Sequence, residues 1–62
     1  MKYSVIYVSL RRGPDRVLQG AEFNEVVEHE CTAMAGQGFK LAASAADVQE
    51  GATRGVWLFF EY

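Results

Sequence analysis

The segment formed by residues 55–62 (GVWLFFEY) constrains the fold more than any other part of this chain. Its aromatic and β-branched content is typical of a β-strand, and successive side chains of a strand point to opposite faces of the sheet. The two faces would carry two different sets, one of Val56, Leu58, Phe60 and Tyr62, the other of Trp57, Phe59 and Glu61. Because both sets are mainly apolar, the segment predicts a central strand that is covered on both faces.

Three further elements are predicted upstream of this strand. Residues 2–10 (KYSVIYVSL) are rich in Tyr, Val and Ile and predict a strand that ends at the turn-forming Gly13-Pro14-Asp15. Residues 21–35 predict a helix, because Phe23, Val27, Cys31 and Met34 recur on one face of a 3.6-residue period. Either Gly20 or Asn24 could cap its start, and Gly36 and Gly38 favour its end.

The second predicted strand, residues 39–45, lies in an alanine-rich stretch that by propensity alone favours a helix. We interpret it as a strand because the glycines precede it and the polar, glycine-containing residues 49–55 follow it as a hairpin connection. The chain is therefore expected to be one α+β domain, residues 1–62, in the order β-α-β-β. A right-handed crossover would make the first two strands parallel, and the hairpin would make the third antiparallel to the second. We expect the last strand to lie between the other two, because its composition suits a strand covered on both faces, with the helix on one face.

The second half of the chain resembles a small family of uncharacterised bacterial β-α-β-β proteins. That family has an amphipathic helix, a glycine turn, a Gly-Trp-Glu-Leu-Val entry into a strand, and a final aliphatic and aromatic strand. The matching residues here are Cys31, Met34, Gly38-Phe39-Lys40-Leu41-Ala42 and Val56-Trp57-Leu58-Phe59-Phe60. Phe39 and Lys40 stand where the family has Trp and Glu. The resemblance implies the fold and no activity.

One helix covers only one face of such a sheet, so the other face would expose Tyr3, Tyr7, Trp57 and Phe59. A chain of 62 residues with a single cysteine and a single histidine has neither an internal disulfide nor a Cys/His zinc cluster to stabilise it. We therefore expect these four residues to form an oligomer or partner interface, with a homodimer favoured. A different protein partner, or cover from the linker at residues 11–20, are the alternatives.

Charge and hydropathy exclude several classes of function. A net charge of −2 and a pI near 5.2 argue against a nucleic-acid binder, which usually carries a basic excess. Residues 5–10 are too short for a membrane span and lack a signal-peptide cleavage site. We expect a cytoplasmic protein, because a lone thiol suits a reducing compartment.

Few residues suggest chemistry, and each has a structural explanation. Arg11, Arg12 and Arg16 could contact an anion or an acidic partner, or form a solvated loop. Glu22, Glu25 and His29 lie on one helix flank and would make only an incomplete metal site. We expect no catalytic residues, no metal and no cofactor.

Glu30 falls near the apolar helix face, where it would be a buried acid with a raised pKa. The explanation that we favour is that the helix is rotated, or that Glu30 lies at the edge of the sheet and pairs with an arginine such as Arg54. Cys31 is expected to be a buried, inert thiol.

The expected function is a non-enzymatic protein-interaction or regulatory module that acts as a homo-oligomer. Inhibitor-type proteins of phage or mobile elements are analogous in size. The alternative is a module that binds a small molecule or nucleotide in a pocket at the subunit interface.

Overall fold

The computed structural model describes the whole chain, Met1–Tyr62, as an α+β domain of one helix and a three-stranded sheet. The elements are β1 (Tyr3–Ser9), α1 (Gly20–Gly36), β2 (Lys40–Gln49) and β3 (Ala52–Glu61), in the order β-α-β-β. The spatial order of the strands is β1-β3-β2, and β3 is antiparallel to both neighbours. The predicted fold class and the predicted central position of the last strand are confirmed.

The core lies between α1 and one face of the sheet. Its buried members are Val8, Leu58, Phe60 and Met34, and half-buried apolar side chains of α1 and of the sheet pack around them. Only six of the 62 residues are buried. Since small domains bury a small share of their surface, this is a thin core.

Helix α1 ends in a hydrogen-bonded motif that depends on a glycine. The Phe39 N–H donates to the Met34 carbonyl and the Gly38 N–H to the Ala35 carbonyl, while Gly38 has a φ of 90°. This pattern is the Schellman motif, in which a residue in the left-handed region reverses the chain after a helix. At the other end the helix begins after Gln19, which makes no side-chain cap, so neither Gly20 nor Asn24 is the N-cap residue.

Strands β2 and β3 are longer than the sequence predicted. Residues 46–49 continue β2, and Ala52–Arg54 belong to β3 instead of a loop. Only Glu50 and Gly51 form the connection, and both have positive φ, as a two-residue hairpin requires. Pairing with β3 therefore overrides the weak strand propensity of the alanines and Asp47.

Candidate functional site: the uncovered face of the sheet

The side of the sheet opposite α1 carries a continuous set of apolar side chains, which we call the open face. Strand alternation and the ladder register place Val5 beside Phe59 and Tyr7 beside Trp57, with the small side chains of β2 flanking the β3 residues. Its members are Tyr3, Val5, Tyr7, Ala43, Ala45, Trp57 and Phe59. No element of the chain packs over it, and Tyr3 is 71% and Trp57 42% exposed.

The predicted interface residues Tyr3, Tyr7, Trp57 and Phe59 thus lie on one face. The linker between β1 and α1 does not cover them: its one buried side chain is Leu18, which lines a groove with Val26 of the helix. The alternative of a linker folded over the aromatic residues is therefore wrong.

Tyr7 and Trp57 form the centre of the open face. Their ring centroids are 4.6 Å apart with an interplanar angle of 48°, which is within the range of favourable aromatic pairs. Directly opposed side chains on neighbouring antiparallel strands are the closest pairs in a sheet. The two rings therefore hold each other in place and give the open face a defined shape.

The Tyr7 side chain also crosses β3 and reaches the far strand. Its hydroxyl donates a hydrogen bond of 2.8 Å to Oδ2 of Asp47, and the ring passes over Gly55. A Cβ atom on Gly55 would lie 2.6 Å from the Tyr7 hydroxyl oxygen and 2.5 Å from the Val8 carbonyl oxygen. Glycine is therefore the residue that leaves room for this link between the two outer strands.

The same contact changes the acidity of the phenol. The hydrogen bond to Asp47 raises the pKa of Tyr7 above its ordinary value, with smaller contributions from partial desolvation and from the Asp47 charge, opposed by Arg54. A neutral hydroxyl that donates to a carboxylate loses that bond when it ionises. Tyr7 is thus kept protonated and in its role as a donor.

A cleft of about 420 Å³, lined by both polar and apolar side chains, opens at the end of the sheet where this link lies. Its walls combine the polar groups of the link with one arginine from the linker and one from β3. They include Tyr7, Ser9, Arg11, Asp47, Gln49, Thr53 and Arg54. The cleft is open to solvent and holds both charge signs, so it could contact a polar ligand at its edge but encloses none.

The three arginines near the β1–α1 linker do not converge on one site. The Arg11 guanidinium donates to the Gly13 and Pro14 carbonyl oxygens at 3.3 and 2.8 Å, so it shapes its own loop. Arg16 forms an ion pair of 2.6 Å with Glu22 of the helix. Arg12 is exposed, and its backbone N–H donates to the Arg16 carbonyl.

The helix flank with Glu22, Glu25 and His29 lines a shallow groove together with Arg16. No group of three or more His, Cys, Asp or Glu side chains is close enough to hold a metal ion. The Arg16 cation occupies the position next to Glu22 instead.

Two other helix residues, Glu30 and Cys31, are half-buried. Glu30 makes no salt bridge, so its expected pairing with an arginine such as Arg54 is wrong. The Nη2 atom of Arg54 lies 3.9 Å from Oε2 of Glu50 in the hairpin instead. Cys31 is a free thiol that packs against the core.

Sequence reasoning missed Val5, Asp47 and Gly55 as members of this surface. Val5 follows from strand alternation and could have been included. A glycine in the interior of a strand pattern signals the close approach of another group, so Gly55 also left a sequence signal. No sequence signal identified Asp47 as part of this surface, because the second strand was predicted to end before it.

Comparisons with known proteins identify no relative of this chain. A scan against protein-family models, a search of curated proteins and a search of solved structures each found no match. The resemblance to the small bacterial family stays a prediction. The structure contains no helix with the length and apolar character needed to cross a membrane.

Proposed function

We propose that this chain is a non-enzymatic protein-interaction module that acts as a homo-oligomer, and that a second copy covers its open face. The observation that carries the proposal is the set of five large apolar side chains, side by side and exposed: Tyr3, Val5, Tyr7, Trp57 and Phe59. The largest contiguous apolar patch on the surface of a soluble protein is often a functional contact surface.

The area of the open face fits an interface. A fully exposed aromatic side chain presents about 150–250 Å², so the exposed fractions of these five residues amount to roughly 400–500 Å². A standard interface buries about 800 Å² per partner. The apolar centre would thus supply about half of that area, and the alanines of β2 and the polar rim would supply the rest, which is the usual arrangement of an apolar core inside a polar rim.

The charges around the open face favour a second copy of the same chain. Lys40 and Glu61, which carry opposite charges, are direct cross-strand neighbours at one end. At the other end, the Asp47 carboxylate already accepts the Tyr7 hydroxyl. Two open faces can therefore meet about a two-fold axis without like charges being forced together at the centre.

The stability that this domain needs also supports self-association, because its own core is thin. Burial of apolar surface contributes about 25 cal/mol of favourable free energy for each Å². Covering the open face would therefore contribute on the order of 10 kcal/mol per copy before the costs of association are subtracted. Association costs of about 4–15 kcal/mol offset much of it. The surplus would add to a domain that has six buried residues of its own.

Light scattering on a matched pair of variants tests this proposal. Trp57→Glu puts a charge at the centre of the open face and should reduce the mass in solution, while far-UV circular dichroism should retain the helix signal. Thr32→Glu is the control, because Thr32 is exposed on α1, on the opposite side of the sheet from the open face. If native protein is already a monomer of 6.9 kDa, self-association through the open face is refuted and a different protein becomes the occupant to seek.

A regulatory role and a cytoplasmic location belong to the same proposal. A small module without a catalytic centre acts by occupying a surface, as inhibitor-type proteins of phage or mobile elements do. The single free thiol, Cys31, half-buried against the core, suits a reducing compartment.

The cleft beside Tyr7 supports a second candidate function. In a face-to-face dimer, a second copy would lie over the sheet and could close the cleft, which holds Arg11, Arg54 and Asp47 on its walls. A small polar molecule, such as a nucleotide, would then bind at the subunit interface. Thermal-shift screening of nucleotides and acidic metabolites tests this candidate, and Arg54→Gln should abolish any stabilisation that is found; no stabilisation by either class would refute it.

A further inference from the structure

Strand β2 is an outer strand of the sheet, and its outward side has no strand partner. Of its ten residues, nine are exposed and only Asp47 is half-buried. The central residues 42–46 are four alanines and a serine, with neither a proline nor a charge. Outer strands are normally protected from pairing by prolines or charges, and an unprotected one offers its free N–H and C=O groups to another strand.

The helix side of β2 also presents apolar surface at this edge. A groove of about 290 Å³ runs between α1 and β2, with Phe23, Val27 and Leu41 among its lining residues. Leu41 is 49% exposed although it points to the same face as the core. A strand added beside β2 would bring further side chains against this groove.

The register of β2 determines which self-pairing its charges favour. Lys40 opposes Glu61 of β3 and Asp47 opposes Gly55, and a β-bulge at Ala42 shifts the alternation between them. Because of that bulge, Lys40 and Asp47 both point to the open face, at opposite ends of the exposed strand. If Ala42 stays unpaired in both copies, as it is against β3, a two-fold axis at Ser44 places Lys40 of each copy opposite Asp47 of the other.

The same axis matches the remaining side chains by face. Ala43 would oppose Ala45 of the second copy on the open face. Leu41 would oppose Ala46 of the second copy on the helix side. Opposite charges in direct cross-strand positions are favourable, and the pairing joins them twice by symmetry.

We propose that the outer edge of β2 pairs antiparallel with the same edge of a second copy, about a two-fold axis at Ser44, to form a continuous six-stranded sheet. This contact is independent of the open face, and the two open faces of such a pair lie on the same side. With the contact of the open face added, four chains form two six-stranded sheets packed face to face.

Site-specific disulfide formation tests the edge contact. In a Cys31→Ser background, Ser44→Cys places a thiol on the axis, where the Cβ atoms of the two copies would be about 4.5–5.5 Å apart, close to disulfide geometry. Ala46→Cys is the matched control, since it is an exposed position on the same strand and the same face but off the axis. Both positions are exposed, so neither change should disturb folding.

Mild oxidation at low protein concentration should convert most of the Ser44→Cys protein to a disulfide-linked dimer and leave Ala46→Cys mainly as a monomer on a non-reducing gel. Equal cross-linking of the two variants, or none in either, would overturn the edge contact. Repeating the experiment with Trp57→Glu separates the two proposals. If the edge contact exists, Ser44→Cys still forms the disulfide-linked dimer when Trp57→Glu has broken the contact of the open face. The mass in solution, measured without cross-linking, should then be that of four chains for native protein and of two chains for Trp57→Glu.

Discussion

The contact between Gly55 and the crossing Tyr7 side chain leads to a sharp prediction. In Gly55→Ala, the added Cβ would lie 2.5 Å from the Val8 carbonyl oxygen and 2.6 Å from the Tyr7 hydroxyl oxygen. The Tyr7 ring can swing away, but the Val8 carbonyl belongs to the backbone of the neighbouring strand. The substitution must therefore either push β1 away from β3 locally or displace Tyr7 and break its hydrogen bond to Asp47.

The expected magnitude follows from these two effects and one opposing effect. Overpacking against well-packed structure costs about 1–3 kcal/mol. Replacing glycine by alanine also restricts the unfolded chain, which returns about 0.4–1 kcal/mol. We expect a net loss of about 1–2 kcal/mol, and at about 4–8 °C per kcal/mol for a domain of this size the midpoint of thermal unfolding should fall by roughly 5–15 °C.

Thermal and urea unfolding, followed by circular dichroism, measure this loss. Trp57 fluorescence reports whether the Tyr7 ring has moved away from the Trp57 ring. Gly20→Ala is the matched control, because Gly20 begins the helix and a Cβ there meets no atom within 4 Å. The control should be neutral or slightly stabilising. Because self-association also contributes to stability, the variants should be compared at one protein concentration. A Gly55→Ala protein as stable as the control, with unchanged Trp57 fluorescence, would refute the close crossing of Tyr7 over β3.

Two further predictions concern the helix end and the ionisation of Tyr7. Gly38→Ala should destabilise the domain by about 1–2 kcal/mol, because the φ of 90° is unfavourable for alanine and the new Cβ would lie 2.6 Å from the Tyr62 ring. Urea unfolding measures this loss, and Gly36→Ala is the control, because a Cβ at Gly36 meets open space. A loss no larger than that of the control would contradict the prediction. The raised pKa of Tyr7 means that its hydrogen bond to Asp47 contributes stability that is full below the unfolded phenol pKa of about 10 and is lost as the pH rises through the higher folded value. Urea midpoints of native protein should therefore fall more steeply above pH 10 than those of Tyr7→Phe, and parallel curves between pH 8 and pH 11.5 would contradict the link.

Much of the architecture follows from local signals. The periodic apolar residues from Phe23 to Met34 fix a helix that ends at residue 36, one residue beyond the predicted end. Residues 55–62 identify the central strand because side chains alternate and both resulting sets are apolar. The same alternation is enough to predict that Tyr3, Tyr7, Trp57 and Phe59 share one face. Such patterns depend only on the period of the backbone, which the sequence carries directly.

The exact extent of β2 and the geometry of the hairpin required the folded chain. Residues 46–49 have weak strand propensity and become a strand because β3 lies alongside them. The bulge at Ala42, which brings Lys40 and Asp47 to the same face, is a property of a pair of strands. The same is true of the arginines: their spacing along the chain suggested a cluster, yet Arg11 bonds its own loop and Arg16 pairs with Glu22.

The sequence by itself determined that this chain has two apolar sheet faces and one helix to cover them. Only the tertiary structure decided that the linker leaves the face with the aromatic side chains uncovered, and that Tyr7 crosses over Gly55 to join the two outer strands through Asp47. The physical reason is the range of the interactions involved. Alternation and helical periodicity act between residues a few positions apart, whereas the Tyr7–Asp47 bond joins residues forty positions apart and exists only once β3 has brought both outer strands together.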